Sequence, residues 1–245
     1  MDNAILVGLS RQMVLRREME IIANNIANMD TTGFKVESMM QKTEPGAPAV
    51  TQGGPKPVKF VAADGVARNF GQGGLTLTGA PLDMAIEGKG FFQVMDPNGP
   101  RFTRDGRFTM DTTGRLVTQA GLPVMGDGGG EIIIDPEKGE VTIGGDGTIS
   151  QGAERVGKVG VYTFADAGVL EKAGDNLFRN GSNLAAEPAA NASVRQGFLE
   201  GSNVKPVFEI TRMIEVSRAY EQAGRMIDSG SDLSRRAVER LGKIQ

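Results

Sequence analysis

The sequence contains no histidine, no cysteine and no tryptophan among its 245 residues. Without histidine and cysteine, no imidazole or thiolate is available as a general base, nucleophile or metal ligand. Most nucleophile pairs and zinc sites are therefore excluded, and we expect neither a metal nor a cofactor. Lysine-based and dicarboxylate catalysis stay open. The lack of cysteine also leaves the redox compartment undetermined.

The chain also lacks a strong charge of either sign. Its 27 basic and 30 acidic side chains give a net charge of −3 and are spread along the sequence. This balance provides no electrostatic footprint for nucleic acid or for an anionic membrane. The apolar run that starts at Ala4 ends at Ser10, so we predict no cleaved secretory signal. No run approaches the roughly 20 apolar residues that cross a bilayer, so we expect no direct membrane insertion.

Glycine is abundant, with 35 residues concentrated in the middle of the chain. This distribution predicts an α+β fold, in which N- and C-terminal helices pair as a coiled-coil-like stalk around a β-rich, antiparallel central body. We divide the chain into a terminal helical domain (1–30 with 205–245), an extended or β connector (31–74) and a β-rich outer domain (75–204).

Short runs bounded by Gly, Pro, Asn or Asp predict the strands of the body. They lie near 57–62, 75–78, 90–95, 101–104, 107–111, 115–118, 131–134, 140–143, 147–150, 157–164 and 194–199. The clearest hairpin signal is Asp105-Gly106, between two alternating runs. Asn98-Gly99, Thr113-Gly114 and Asn180-Gly181 predict further turns. The Pro- and Gly-rich segment 41–56 predicts an extended connector.

Both predicted terminal helices carry a stripe with alternating steps of three and four residues, which is typical of coiled coils. The first stripe comprises Ile5, Gly8, Gln12, Leu15, Met19, Ile22, Ile26 and Met29. The second comprises Ile210, Met213, Ser217, Tyr220, Gly224, Ile227, Ser231, Ser234, Val238 and Leu241. We predict that the two ends pair with each other and with neighbouring subunits, so that Ile22→Asp would block assembly before it harms the subunit. The alternative is that each stripe merely covers the core of its own domain.

Polar residues and a glycine cluster where the first helix ends. Asn24, Asn25 and Asn28 carry amides that bond either carbonyls of their own chain or the backbone of a neighbour. Gly33 is suited to a positive φ, which ends a helix. We expect Phe34 to anchor this turn in an apolar pocket, either in its own body or in an adjacent subunit.

Polar residues also precede the last helix. Ser202 and Asn203 stand just before Val204, and such side chains accept hydrogen bonds from the free N–H groups of a first helical turn. We therefore predict that they cap the last helix. Replacing Asn203 by Ala would then cost on the order of 1 kcal/mol, as is usual for caps.

Three groups of motifs resemble those of the flagellar axial proteins, the family that builds the rod and hook of the bacterial flagellum. The N-terminal group is Asn24-Asn-Ile-Ala-Asn28 with Thr31-Thr-Gly-Phe-Lys35. The body group is Gly88-Lys-Gly-Phe-Phe92, Phe102-Thr-Arg-Asp-Gly-Arg-Phe-Thr-Met-Asp111 and Gly114-Arg-Leu-Val117. The C-terminal group is Gly197-Phe-Leu-Glu-Gly-Ser-Asn-Val204 with Met213-Ile-Glu-Val-Ser-Arg-Ala-Tyr-Glu221. The motifs occur in the family's order and cover both ends and much of the body.

The resemblance implies a structural, non-catalytic subunit that forms a helical tube with itself and with other rod subunits. Terminal helices would line the inside and β-rich bodies would face outward, in the periplasmic rod of the basal body. The resemblance also implies passage through the flagellar export apparatus without a cleaved signal peptide. Residues 1–12 and the modest length are most similar to a proximal-rod subunit, with a distal-rod subunit or another axial protein as the alternative. The candidate assembly interface comprises Ile5, Gly8, Leu15, Met19, Ile22, Asn24, Asn25, Ile26, Asn28, Gly33, Phe34, Asn203, Met213, Tyr220, Ile227 and Leu241.

Two hypotheses from other classes remain. Asp105 with Asp111, or Asp83 with Glu87, could form the carboxylate pair of a glycan hydrolase. The body alone could instead serve as an adaptor that decorates a filament. The Gly-rich strings 126–130 and 144–147 lack the Lys-Ser/Thr ending of a phosphate loop, so we predict turns there.

Overall fold

The structure is a computed structural model that describes residues 2–43, 47–48, 57–58, 61–182 and 184–242. A helix lies at each end and a β-rich body lies between them, which confirms this part of the predicted fold. Contacts divide the chain into two compact units. Unit 1 holds 1–27, 37–69 and 205–245, and unit 2 holds 28–36 and 70–204. The chain therefore crosses between the units after Ala27, Val36, Asn69 and Val204.

Unit 1 contains both helices and a β-ribbon. Its elements are α1 (Asp2–Ala27), β1 (Glu37–Thr43), β2 (Ala47–Pro48), β3 (Pro57–Val58), β4 (Val61–Arg68) and α2 (Pro206–Gly242). Proline is well suited to the first helical position because its φ is already helical and its missing N–H has no partner there. The Lys205 carbonyl accepts the first bond of α2, from Glu209 N at 3.1 Å. No described helix combines the length and apolar composition required to cross a bilayer.

The ribbon of unit 1 was predicted only in part. β1 and β4 pair antiparallel from Glu37↔Arg68 to Thr43↔Val61, with an irregularity between Met40 and Gln41. The sequence pattern predicts a strand near 57–62 but none over β1, where apolar and polar residues do not alternate. Most of the predicted connector 41–56 lies outside the described residues.

Unit 2 holds the remaining strands. They are β5 (Leu75–Leu77), β6 (Met84–Glu87), β7 (Phe91–Asp96), β8 (Gly99–Thr103), β9 (Phe108–Met110), β10 (Leu116–Thr118), β11 (Val141–Ile143), β12 (Thr148–Gln151), β13 (Glu154–Lys158), β14 (Val161–Thr163), β15 (Leu170–Lys172), β16 (Leu177–Asn180), β17 (Glu187–Pro188), β18 (Ser193–Gln196) and β19 (Phe198–Glu200). A short 3-10 turn covers Ala167–Val169.

One six-stranded antiparallel sheet organises unit 2, with the order β15-β16-β8-β7-β14-β17. Smaller sheets pair β9 with β10, β11 with β12 and β13, β18 with β6, and β19 with β5. The last two strands of the unit therefore pair with its first two. The larger core cluster includes the fully buried side chains of Met84, Phe92, Val94, Leu116 and Ile149.

The hairpin predicted at Asp105-Gly106 is wrong. β8 pairs with β7 and β16, whereas β9 pairs with β10. The carbonyl of Gly106 accepts from Met84 N at 3.0 Å, so these residues form a bend between sheets. The turn at Asn98-Gly99 is confirmed between β7 and β8, as is the turn at Thr113-Gly114 between β9 and β10. The predicted strand near 131–134 makes only isolated bridges, and β6, β15 and β16 were not predicted.

Candidate functional site

The first candidate site is the helix pair of unit 1. α1 and α2 run antiparallel, because early residues of α1 lie beside late residues of α2. Leu15 and Ile22 of α1 form a buried cluster with Val216 and Ala223 of α2. The partly buried side chains that pack on this cluster are Met19, Ile26, Met213, Ala219 and Tyr220. The predicted stripe of α1 therefore faces α2 of its own chain.

The predicted stripe of α2 is displaced by one residue at two of its positions. Met213 and Tyr220 pack against the buried cluster as expected, but Val216 and Ala223 complete the contact in place of Ser217 and Gly224. Both choices satisfy alternating steps of three and four. The set that is buried against α1, Val216 and Ala223, is the more apolar of the two. The predicted stripe also includes Ile210, whose side chain is 48% exposed.

Gly8 allows a close approach between the helices. A Cβ built on Gly8 would lie 2.9 Å from Cγ1 of Ile227, closer than real Cβ contacts. Farther along the pair, a Cβ on Gly230 would lie 3.5 Å from Cγ1 of Ile5, which is an ordinary contact distance. Gly8 and Ile227, one from each predicted stripe, therefore lie together, whereas Ile5 lies beside Gly230, which is not in the predicted stripe of α2. The side chain of Leu241 lies outside the described part of the chain.

Asn25 is a fully buried hydrogen-bonding centre of unit 1. Its Oδ1 accepts from Glu37 N at 2.9 Å, and its Nδ2 donates to Glu37 O at 2.8 Å and to Glu209 Oε2 at 3.0 Å. Arg212 Nη2 pairs with Glu18 Oε1 at 2.8 Å nearby along the same helices. Of the two alternatives for the asparagines, Asn25 therefore bonds its own chain.

The other two asparagines differ from Asn25. Oδ1 of Asn28 accepts from the Thr31 hydroxyl at 3.2 Å, and the Asn28 carbonyl accepts from Thr31 N, so Asn28 shapes the turn after α1. Asn24 is exposed on α1.

Each helix also carries exposed apolar residues at steps of three and four, and we call these two sets the outer stripes. On α1 the outer stripe is Leu6, Leu9 and Met13, and on α2 it is Val207, Ile210 and Ile214. Their exposures range from 46% for Leu9 to 79% for Val207. Contiguous exposed apolar side chains mark interaction surfaces. The stripe predicted for α2 includes Ile210 but neither Val207 nor Ile214, and it assigns Ile210 to the same face as Met213 and Tyr220.

A second candidate site is a cluster of buried charges in unit 2, Lys35, Arg104 and Glu200, which we call the charged junction. Side-chain exposure is 0% for Lys35 and Glu200 and 3% for Arg104. The Glu200 carboxylate accepts from Lys35 Nζ at 2.6 Å and from Arg104 Nη1 at 3.0 Å. Gly73 N donates to the same carboxylate at 2.8 Å. Two cations thus share one carboxylate.

Backbone carbonyls complete the charged junction. Lys35 Nζ donates to Gly71 O at 2.8 Å, and Arg104 Nη2 donates to Gly88 O at 2.8 Å. Within the described residues, Nε of Arg104 is buried without a hydrogen-bond partner. Burial lowers the pKa of Lys35 and the pKa of Arg104, and the nearby Glu200 carboxylate opposes both shifts in part. The carboxylate of Glu200 therefore offsets only part of the effect of burial on the pKa of these two cations.

The turn after α1 is built onto this junction. Gly33 has φ +70°, which confirms the predicted positive φ, and its N–H donates to Glu200 O at 2.7 Å. Phe34 is buried in unit 2, with the Lys172 ammonium 4.9 Å from its ring centroid. The pocket that anchors Phe34 therefore belongs to its own chain.

The predicted capping role of Asn203 is wrong. Its Oδ1 accepts from Val36 N at 2.8 Å, and its Nδ2 donates to Gly71 O at 2.9 Å. Lys205 rather than Asn203 immediately precedes the first helical residue of α2. Asn203 instead links three parts of unit 2 that lie at the ends of its segments: Val36, Gly71 and Asn203 itself. The Ser202 hydroxyl accepts from Val204 N at 3.2 Å.

The three buried charges belong to the three motif groups quoted above, one each. Lys35 ends the N-terminal group, Arg104 lies in the body group, and Glu200 lies in the C-terminal group. No spacing pattern relates residues 35, 104 and 200, so their association could not be predicted from the sequence. The available signal was a charged residue beside Gly and Phe in each motif.

Three of the four carboxylates posed for catalysis are held in local structure. Asp105 pairs with Arg107 at 2.6 Å, and Asp111 pairs with Arg115 at 2.9 Å. Oδ2 of Asp83 accepts from the Thr78 hydroxyl at 2.7 Å. The Gly-rich strings form turns as predicted, with Gly126 N donating to Gly130 O and Gly144 N donating to Thr148 O, each at 2.8 Å.

Paired terminal helices with apolar outer stripes, attached to a β-rich body, are typical of a structural subunit that assembles. Three family profiles match the chain. Residues 5–35 match the flagella basal body rod protein, 85–151 the flagellar hook protein FlgE/F/G D1 domain, and 195–240 the flagellar basal body rod FlgEFG protein C-terminal region. The chain belongs to the flagellar basal-body rod proteins, which are structural subunits of the rod.

Individual relatives match over the whole chain. The flagellar basal-body rod protein FlgF of Caulobacter vibrioides is 59% identical over 244 residues, covering 100% of both chains. FlgF of Mesorhizobium japonicum is 36% identical and covers 99% of both chains. FlgG of Bacillus subtilis is 32% identical over 97% of this chain and 98% of its own.

Proposed function

We propose that this chain is a subunit of the proximal rod that polymerises, with itself and with other rod subunits, through the outer stripes of α1 and α2. The observation that carries this proposal is the exposure of six large apolar side chains on two helices that already pack against each other. In the assembled rod, the helix pair would act as a coiled-coil-like stalk. The likeness to FlgG keeps a distal-rod subunit as the second candidate.

The positions of the outer stripes favour a repeating contact over a closed dimer. Because α1 and α2 are antiparallel, the stripe near Leu9 lies toward one end of the helix pair and the stripe near Ile210 toward the other. Two different patches at opposite ends suit a heterologous contact, which continues from subunit to subunit. Burial contributes about 25 cal/mol per Å² of apolar surface, and ordering of the interface offsets part of this gain.

The proposed role is mechanical rather than enzymatic, and it requires no metal or cofactor. The subunit would transmit torque through the periplasmic rod, after passage through the flagellar export apparatus without a cleaved signal peptide. The local pairing of Asp105 and Asp111 supports a non-catalytic body, because each carboxylate is engaged in its own turn. We expect contacts with other rod proteins, and none with nucleic acid or the membrane interior.

The substitution Ile214→Lys tests the outer stripe of α2. Its side chain is half-exposed, so the variant should keep its thermal melting temperature while a complemented deletion strain loses swimming and assembled rods. The matched control is Glu215→Lys, an exposed position roughly 100° around the same helix. This control should swim normally. Normal basal bodies with Ile214→Lys, seen by electron microscopy, would contradict assembly through the stripe. In the deletion strain, the height at which the rod ends distinguishes a proximal-rod subunit from a distal-rod subunit.

A further inference from the structure

The two cations of the charged junction come earlier in the sequence than the carboxylate that pairs with them. Lys35 and Arg104 come early in the sequence, whereas Glu200 lies four residues before the end of unit 2 at Val204. Among the described residues, both cations form ion pairs with Glu200 alone. A partial chain that ends after β17 therefore contains both cations that are buried in the complete unit, but it lacks the carboxylate that pairs with them.

Most of the apolar core is available earlier. Every buried member of the larger core cluster except Val194 precedes β18. Hydrophobic burial alone would allow this part of unit 2 to close before β18 and β19 arrive. Lys35 and Arg104 are buried in the complete unit, so reaching that arrangement without Glu200 would leave both cations without a counter-ion. Burying an unpaired charge is far more costly than burying a paired one.

We propose that the charged junction is a completion lock, in which Lys35 and Arg104 keep unit 2 open until Glu200 arrives and closes it. Strand pairing reinforces the lock. β18 pairs with β6, and β19 pairs with β5, so the residues around Glu200 dock on the first strands of the unit. The Glu200 backbone takes part as well, because its carbonyl accepts from Gly33 N. The last segment of unit 2 thus supplies both a charge and a strand.

The lock would keep an incomplete subunit from folding around an unfinished chain. In an exported subunit, it would keep the leading part of the chain open during passage. This use during export rests on the proposed function, whereas the order of folding does not.

Pulsed hydrogen exchange during refolding of the full-length protein tests the order. In the native sequence, amides of β7 and β8 should gain protection in the same kinetic phase as amides of β19. The triple variant Lys35→Met, Arg104→Met, Glu200→Leu replaces the junction by apolar side chains, a change that buried ion pairs often tolerate. In this variant, β7 and β8 should become protected before β19.

A matched control removes an ion pair that is not buried. Glu171→Leu breaks the exposed pair with Arg179 and should leave the single phase unchanged. The proposal is overturned if β7 and β8 precede β19 in the native sequence, or if the triple variant keeps them in one phase. Both results are obtained on the isolated protein and are independent of whether rods assemble.

Discussion

At the residue scale, the backbone conformation of Gly33 was predictable from the sequence, but its tertiary contact was not. A helix stop followed by Gly predicts a positive φ from local chemistry alone, and the backbone has it. A Cβ at Gly33 would also lie 2.5 Å from Asp105 N, a contact with a segment about 70 residues away in sequence. Local preference was therefore predictable, whereas the tertiary contact was not.

Asp111 illustrates a charge that is stabilised by its own turn. Its carboxylate accepts from the Thr113 hydroxyl at 2.7 Å, from Thr113 N at 2.8 Å, and from Arg115 N and Nε at 2.9 Å each. These hydrogen bonds, led by that of the Thr113 hydroxyl, hold the pKa of Asp111 well below its ordinary value. The folded state therefore prefers the ionised form.

This shift predicts a pH-dependent effect of Asp111→Ala. A carboxylate whose pKa is depressed by folding stabilises the native state above its unfolded pKa, near 4, and loses that contribution as pH falls. The variant should be less stable than the native protein at pH 7, and the difference should shrink toward pH 3. Urea unfolding at pH 7, 5 and 3 measures it, with exposed Glu140→Ala as the control. A difference that is constant with pH would show that the charge of Asp111 contributes nothing.

At the element scale, the helices were predictable because their pattern is long and local. Both were placed within a few residues of their observed ends, and the stripe of α1 was placed on the correct face. On α2, Val216 and Ser217 offered the same periodicity, so only the partner helix decided between them. Strands were less predictable, since β1 and β16 depend on neighbours far along the chain for their pairing.

The close contact at Gly8 predicts a specific sensitivity of the helix pair. Gly8→Leu should lower the free energy of unfolding by about 1 to 3 kcal/mol, because extra methylenes must displace Ile227 or separate the helices. The better helix propensity of Leu, worth under about 1 kcal/mol, opposes this loss. Ala23→Leu, at an exposed position of the same helix, should be nearly neutral. If urea denaturation shows that Gly8→Leu is as stable as the native protein or more stable, the close approach of the helices at Gly8 is not required for stability.

At the scale of the whole molecule, the sequence predicts a helix–body–helix chain but not its interleaving. Unit 1 takes segments from the start, the first third and the end of the chain, and unit 2 takes two segments between them. A linear pattern carries no information about which distant segments share a core. The charged junction was missed for the same reason, since Lys35 and Glu200 are 165 residues apart.

The interleaved units change the expected effect of Ile22→Asp. The sequence alone predicts that this charge blocks assembly while sparing the subunit, but Ile22 is only 1% exposed and lies in the cluster between α1 and α2. An unpaired buried carboxylate should destabilise unit 1 by roughly 3 kcal/mol or more. Unit 2 has its own core and should keep its protection. Native-state hydrogen exchange should therefore show rapid exchange in α1 and α2 with β7 and β8 still protected, and Ile214→Asp, at a half-exposed site, should leave both units protected. Equal loss of protection in β7 and β8 would mean that the two units unfold as one.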